Sequence, residues 1–226
     1  MSKEKLFTKI KRPKNLNTIY GLPPESYTDD VFWKKECNTV LSDDWLFVGL
    51  VHELKNPGDI IPLSIAGKPI FLVKDLENKI STFHNVCSHR CLKLVDKKMN
   101  VGKIIKCPYH AWSYNLKGQL KAAPHIGGTN QHKPEGFNFS DHGLKPIRTH
   151  IWHDWIFINF NGKAKKFEEY AKPLIKRFND IDLTKLNYVA TLDFGKINTN
   201  WKFLIENFIE PYHVQFVHKI TTNQPL

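Results

Sequence analysis

Two short stretches of this chain carry side chains that bind metals: Cys87-Ser88-His89-Arg90 and Cys107-Pro108-Tyr109-His110. Each offers one thiol and one imidazole, spaced C-x-H in the first and C-x-x-H in the second. Seventeen residues separate His89 from Cys107. Two metal chemistries use this donor set. In a mixed-ligand [2Fe–2S] centre, two thiolates hold one iron and two imidazoles hold the other. Neutral imidazoles in place of thiolates make such a centre easier to reduce than an all-cysteine one. A tetrahedral zinc site accepts the same four ligands, but its usual spacings group cysteine with cysteine and histidine with histidine. A mixed pair in each half favours iron and sulfide. A disulfide with two bystander histidines would ask for an oxidising compartment, and Met1–Leu16 lacks the apolar run of a secretory signal. Pro108 and Tyr109 stiffen the second loop, and Trp112 is placed to shield the centre from water.

A second set of donors lies in 200–218, NWKFLIENFIEPYHVQFVH. Asn198-Thr199-Asn200 supplies helix caps. On a helix starting near Trp201, Glu206, Glu210 and His213 fall at i, i+4 and i+7 and share one face. Pro211 removes a backbone donor from the last turn. His218 must therefore return to the same point from beyond that disturbance. Taken alone, the stretch also reads as a capped helix with surface carboxylates and a core histidine.

The elements that would position these donors are mostly short strands. Trp45–Val51, Asp59–Ile65, Pro69–Val73 and Ile80–Asn85 are β-branched or aromatic and are separated by Gly and Asn turns. Ala66-Gly67-Lys68 and Leu76-Glu77-Asn78 fit tight hairpins. Ile104–Lys106 leads into the second cysteine loop and Ser113-Tyr114 leads out, where either hydroxyl could bond a cluster or ligand sulfur. Residues 121–142 read as a loop with solvated histidines at His125, His132 and His142. Leu144–Arg148 and Ile151–Phe160 resume strand character. Before the strands, Tyr27-Thr28-Asp29-Asp30 caps a short helix that ends at Ser42-Asp43-Asp44. After them, 165–178 reads as one amphipathic helix, and Leu192 and Phe194 as a strand. The expected fold is α+β: a small antiparallel β domain, then the start of an α/β domain. The boundaries are a helical leader at 1–44, the β domain at 45–162 and the second domain at 163–226.

The stretches CSHRC and CPYHAWSYNLKGQL resemble the Rieske domain of Rieske non-heme iron oxygenase α subunits, the aromatic-ring-hydroxylating dioxygenase type. The entry wording LPPESYTDDVFWKKE…WLFVG is similar as well. Cys91 and Ala111 stand where that family commonly has glycine. Tyr109 stands where the Rieske proteins of cytochrome bc complexes carry an extra cysteine. The stretch E-P-Y-H-x4-H is similar to the family's mononuclear iron motif, which more often has Asp in place of Glu210. The resemblance implies that Cys87, His89, Cys107 and His110 hold a [2Fe–2S] cluster and that His213 and His218 hold a mononuclear Fe(II). It makes Glu210 the carboxylate that carries electrons between subunits of a trimer. It implies a ferredoxin or flavin reductase fed by NAD(P)H, and O2 with a small organic substrate for mono- or dioxygenation. Homotrimers, or assemblies with β subunits, are the implied state. The family's third iron ligand is a downstream carboxylate, and Lys219–Leu226 contains none. The chain is thus expected to be an N-terminal portion, truncated in the catalytic domain and without substrate turnover alone. The rival reading is a non-enzymatic Rieske-type electron carrier, which would have no need of the second motif.

Composition narrows the classes. With 41% hydrophobic and 24% charged residues in 226, the chain is an ordinary globular sequence. Its apolar runs are far shorter than the ~20 residues that span a bilayer, so the expected place is the cytoplasm, with no membrane contact. The net charge of +11 raises nucleic acid as a partner. Only four of the 33 basic residues are arginine, and no dense basic run is interleaved with aromatics, which argues against it. A diffuse positive field suits an acidic electron donor instead. Cys37 and Cys91 are expected as buried free thiols.

Overall fold

The computed structural model describes residues 21–218; the lysine-rich Met1–Leu16 and residues 219–226 lie outside them. Glu36–Tyr188 forms one compact unit. The described parts of Met1–Lys35 and Val189–Leu226 form another. The fold is α+β, with an antiparallel β domain in the larger unit and short helices in the other.

The larger unit is built on ten strands: β1 (Leu46–Leu50), β2 (Asp59–Ile65), β3 (Lys68–Lys74), β4 (Ile80–His84), β5 (Met99–Asn100), β6 (Ile104–Lys106), β7 (Ser113–Asn115), β8 (Leu120–Ala122), β9 (Pro146–Trp152) and β10 (Trp155–Asn159). Seven of them make a sheet in the order β1-β10-β9-β4-β3-β2-β5, and β6-β7-β8 make a second, small sheet. Strand β3 shows why the sequence pattern was readable. Alternate side chains point to opposite faces. Phe71 and Val73 join the core that also contains Cys87, Cys107, Trp112 and Tyr114. Ile70 and Leu72 join a second core with Val48, Ile156 and Ile158. A strand buried on both faces reads as the continuous apolar run PIFLV. Between β2 and β3, Ile65 pairs with Lys68 across Ala66 and Gly67, both at positive φ (50° and 71°), which is the two-residue hairpin expected there. Gly118, at φ +78°, packs so close to Phe83 that an added Cβ would lie 2.4 Å from its ring. Only glycine fits that turn.

Asn159, fully buried at the end of β10, ties in the preceding helical segment. Its Nδ2 donates to the carbonyls of Ser42, Asp43 and Asp44 at 3.0–3.2 Å, and its Oδ1 accepts from the Ala164 amide. The helices before β1 are α1 (Glu25–Thr28), α2 (Asp30–Asn38) and α3 (Val40–Asp43).

Three expectations need correction. The helix over 165–178 is broken into α4 (Phe167–Tyr170) and α5 (Lys172–Arg177). Pro173 has no amide hydrogen to give the preceding turn, and the chain restarts with proline in its first turn. Leu192 and Phe194 are not a strand: both are exposed and pair with no strand among the described residues. Apolar alternation without a neighbouring edge does not make a sheet. Cys91 is a free thiol, as Cys37 is, but it is exposed rather than buried.

Candidate metal centres

The two cysteine loops are built on one template. In the first, which follows β4, the Cys87 amide donates to the Leu92 carbonyl and the Cys91 amide returns to the Cys87 carbonyl, at 2.8 and 3.0 Å. In the second, at the tip of the β6–β7 hairpin, Cys107 donates to Trp112 and Ala111 returns to Cys107, at 2.8 and 3.1 Å. Each loop therefore turns back at the fourth residue after its cysteine. Those two residues are Cys91 and Ala111, with φ of 55° and 58°. Both positions are left-handed, where a Cβ is costly. The histidine stands two residues after the first cysteine and three after the second, and the two imidazoles meet edge to face with centroids 4.8 Å apart.

The thiols of Cys87 and Cys107 are buried beside one another. Burial, with Cys87 beside it, pushes the Cys107 thiol up. Metal must displace that proton, so loading releases it. Burial, then the charges of His110 and Arg90, push His89 down, toward the neutral imidazole that a metal needs.

Tyr114, on β7, stands behind the sulfurs. Its oxygen is 3.2 Å from Cys87 Sγ and 3.2 Å from the Ser88 amide. An amide can only donate, so Ser88 uses one lone pair of the phenol oxygen. Between the phenol and the Cys87 thiol either can donate; once metal takes the thiol proton, only the phenol has a hydrogen to give. Burial, then the Cys87 sulfur, push the Tyr114 phenol well up, so it stays a donor. The Ser113 hydroxyl takes no part in this and donates to the Ala111 carbonyl at 2.9 Å. Trp112 lies flat on His89, with centroids 4.7 Å apart and planes 7° apart. Phe137 and His142, themselves stacked at 4.5 Å, close edge-on against Trp112. His142 is thus half-buried ring packing rather than a solvated histidine. His125 and His132 are exposed but accept loop amides at Nδ1, from Asn130 and His125 respectively.

One organising residue carried no signal of its own. Asn85, fully buried just after β4, donates from Nδ2 to the Val95 carbonyl and accepts at Oδ1 from the Leu94 and Val95 amides. It closes the base of the first loop. An asparagine directly after a strand and two residues before a ligand is the only hint the sequence offers.

The second donor set lies on α6 (Trp201–Ile209) and α7 (Val214–Val217). Asn200 caps α6 as expected, its side chain accepting from the Lys202 amide at 3.0 Å. The shared helical face of Glu206, Glu210 and His213 does not form. The helix ends at Ile209, and Glu210 is extended, because Pro211 prevents the next turn. The turn instead folds His213 back onto Glu210, with Nδ1 3.1 Å from Oε2. Glu206 points elsewhere, to the Tyr27 hydroxyl at 2.7 Å. The rings of His213 and His218 lie 5.5 Å apart.

Among the described residues no three His, Cys, Asp or Glu side chains converge as a mononuclear site would require. The donors come in pairs. Two pairs, one of buried thiols and one of imidazoles, suit a [2Fe–2S] cluster whose irons are ligated separately. A pair of histidines, one held at Nδ1 by a carboxylate, suits an iron that draws its remaining ligand from outside 21–218.

Comparisons with known proteins match both regions. Residues 44–133 match the Rieske [2Fe–2S] domain, and residues 182–224 match the catalytic domain of ring-hydroxylating α subunits. The large oxygenase component of a Ralstonia salicylate 5-hydroxylase is 31% identical over 87% of this chain and 48% of its own length. The oxygenase subunit of Pseudomonas aeruginosa glycine betaine monooxygenase is 30% identical over 88% and 45%. The crystal structure of the quaternary ammonium Rieske monooxygenase CntA with an inhibitor superposes with a TM-score of 0.79. It is 25% identical and covers 90% of this chain and 56% of that one. The chain spans about half the length of the curated relatives it matches. Its Rieske domain implies a [2Fe–2S] cluster and its catalytic-domain segment implies mononuclear iron. With both segments matched in one chain, it carries a Rieske [2Fe–2S] domain followed by part of the catalytic domain of ring-hydroxylating α subunits, as its Rieske oxygenase relatives do.

Proposed function

We propose that the chain is a portion of an oxygenase α subunit that receives electrons at a [2Fe–2S] cluster and passes them to mononuclear iron for O2-dependent hydroxylation of a small organic substrate. The observation that carries this reading is the pairing of thiol with thiol and of imidazole with imidazole on two loops of one template. When bound, the cluster supplies one-electron redox capacity, and the iron supplies the open positions at which O2 is activated.

The chain's own residues would do the following. Cys87, Cys107, His89 and His110 hold the cluster. Tyr114 donates to the Cys87 sulfur, and Trp112 fixes the plane of His89 and keeps water from it. His110 and Tyr109 are exposed and form the open edge. His213 and His218 hold the iron. Glu210 takes the Nδ1 proton of His213, which leaves Nε2 as the ligand atom. Its other role is the inter-subunit electron path of a trimer. The electron supply is NAD(P)H through a flavin reductase, directly or by way of a ferredoxin. The domain division that goes with this reading is a leader at 1–44, a Rieske domain at 45–162 and the catalytic segment at 163–226. Relatives named for salicylate, glycine betaine and carnitine leave both aromatic acids and quaternary amines as substrate classes.

The test is joint analysis of iron, zinc and acid-labile sulfide in anaerobically purified chain. The expected result is about two sulfides with at least two irons per chain, reducible by NAD(P)H through a reductase. One further iron is lost on His213→Ala. Zinc without sulfide overturns the reading.

A further inference from the structure

Helix α6 has nine residues, too few to hold itself in water. Its outward side chains are open: Phe208 is 89% and Ile209 71% exposed. Within the described residues of its unit, it is fastened at several points to Tyr27 of α1, 173 to 179 residues earlier in the chain. Four contacts converge on that one residue. Its ring lies flat on Phe203, with centroids 4.3 Å apart and planes 17° apart. Its carbonyl accepts from Asn200 Nδ2 at 3.0 Å, while Asn200 Oδ1 caps the helix. Its phenol donates to Glu206 Oε1 at 2.7 Å. The buried Lys202 ammonium sits 5.5 Å from its ring, with Phe32 and Trp201 as the other two walls.

The fastened points lead to the donors. The Glu210 amide donates to the Glu206 carbonyl at 3.2 Å and closes the last turn of the helix. From that end Glu210 reaches back to His213. Pro211 fixes where α6 stops, but where that end is held, and with it the His213 ring, depends on the hold at Tyr27. We propose that Tyr27 is a positioning residue for the mononuclear iron, acting through Glu206 and Glu210 on His213. This rests on the reading of His213 and His218 as iron ligands. It assigns an iron-site role to a residue of the entry segment, before the Rieske domain. The phenol–carboxylate bond is exposed, which weakens it, so the flat stack and the capped Asn200 carry more of the hold.

The test uses the full chain with its cluster and follows two readouts. One is Fe(II) affinity by competition with a chromophoric chelator under argon. The other is amide exchange across 201–209. His213→Ala defines the signal of the second site, and sulfide content reports that the Rieske domain is intact. Tyr27→Ala is expected to weaken Fe(II) binding about tenfold and to speed exchange in α6 at unchanged sulfide. Tyr27→Phe keeps the stack and should recover most of the affinity. Wild-type affinity in Tyr27→Ala overturns the proposal, whatever the exchange shows. Loss of sulfide with the iron also overturns it, since the effect is then a general loss of fold. If no bound iron responds to His213→Ala in the unsubstituted chain, the iron reading itself fails and takes the positioning role with it. Faster exchange in Tyr27→Ala would then show a purely structural fastening.

Discussion

A single hydrogen sets much of the character of the sulfur side of the first site. With its own proton displaced by metal, the Cys87 sulfur can only accept, so the phenol hydrogen of Tyr114 has it as its target. A donor to a ligand sulfur stabilises the more negative, reduced state. Tyr114→Phe is therefore expected to lower the reduction potential. A bond worth about 1 kcal/mol more in the reduced state corresponds to roughly 40 mV for one electron. An EPR-monitored redox titration of the loaded chain reads it, and an unchanged potential would mean the bond favours neither state. Tyr114 was legible in part, as one of two hydroxyls beside the second loop. Ser113 was the equal candidate, and only the turn of the strand decides between them, sending Ser113 to a backbone carbonyl.

At the scale of elements, the two cysteine loops are one turn used twice. The candidate donors were readable because their types and spacings are local. Strands β2 and β6 were readable to the residue because alternation and β-branching are local too. The left-handed turn positions were visible only as departures, Cys91 and Ala111, from a glycine habit. Their φ of 55° and 58° shows why glycine suits them. Cys91→Gly and Ala111→Gly should each stabilise the protein by about 0.5–1 kcal/mol net of glycine's greater unfolded freedom. For a chain of this size that is a rise of roughly 1–4 °C in melting temperature, and a fall would mean these side chains make contacts that outweigh the strain. What was not legible involved elements meeting at a distance or ending early. Helical periodicity put Glu206, Glu210 and His213 on one face. Pro211 ends the helix before that face can form, and a turn joins two of the three instead. The pairing of Glu206 with Tyr27 spans 179 residues and leaves no periodic trace.

Over the whole molecule, charge and burial set the response to pH. The lysines that give the chain its +11 are spread widely, and two of them act on His84. Burial first, then Lys145 and Lys68, hold its imidazole below the usual 6.5. The unfolded chain takes up this proton near pH 6.5, whereas the folded chain resists until the pH is lower. The contribution to stability is complete above about pH 6.5 and is lost as the pH falls through the lowered folded value. Urea midpoints at about pH 7.5 and 5.5 should therefore differ less in His84→Gln than in the unsubstituted protein. Equal differences would assign the acid sensitivity to other groups. The division into units also belongs to this scale. That 21–35 should group with 189–218 while Glu36–Tyr188 stands as one body is a property of chain return. No window of sequence holds it. Among the described residues no helix is long and apolar enough to cross a membrane.

The two cysteine loops also differ in when they can form. The second closes on itself between Cys107 and Trp112, at the tip of a hairpin whose strands are adjacent in sequence. Its nucleus is local, and hairpins of that kind zip in about 1–10 microseconds. The first is latched from afar, by Tyr114 on Ser88 and by the Ser88 hydroxyl on the Gly143 carbonyl, 26 and 55 residues away. Its own turn closes between Cys87 and Leu92, but its last latch waits for the chain at Gly143 to arrive. On a nascent chain, half of the donor set is therefore shaped before the other half has its latch. The order of synthesis becomes an order of assembly, with Cys107 and His110 ready before Cys87 and His89.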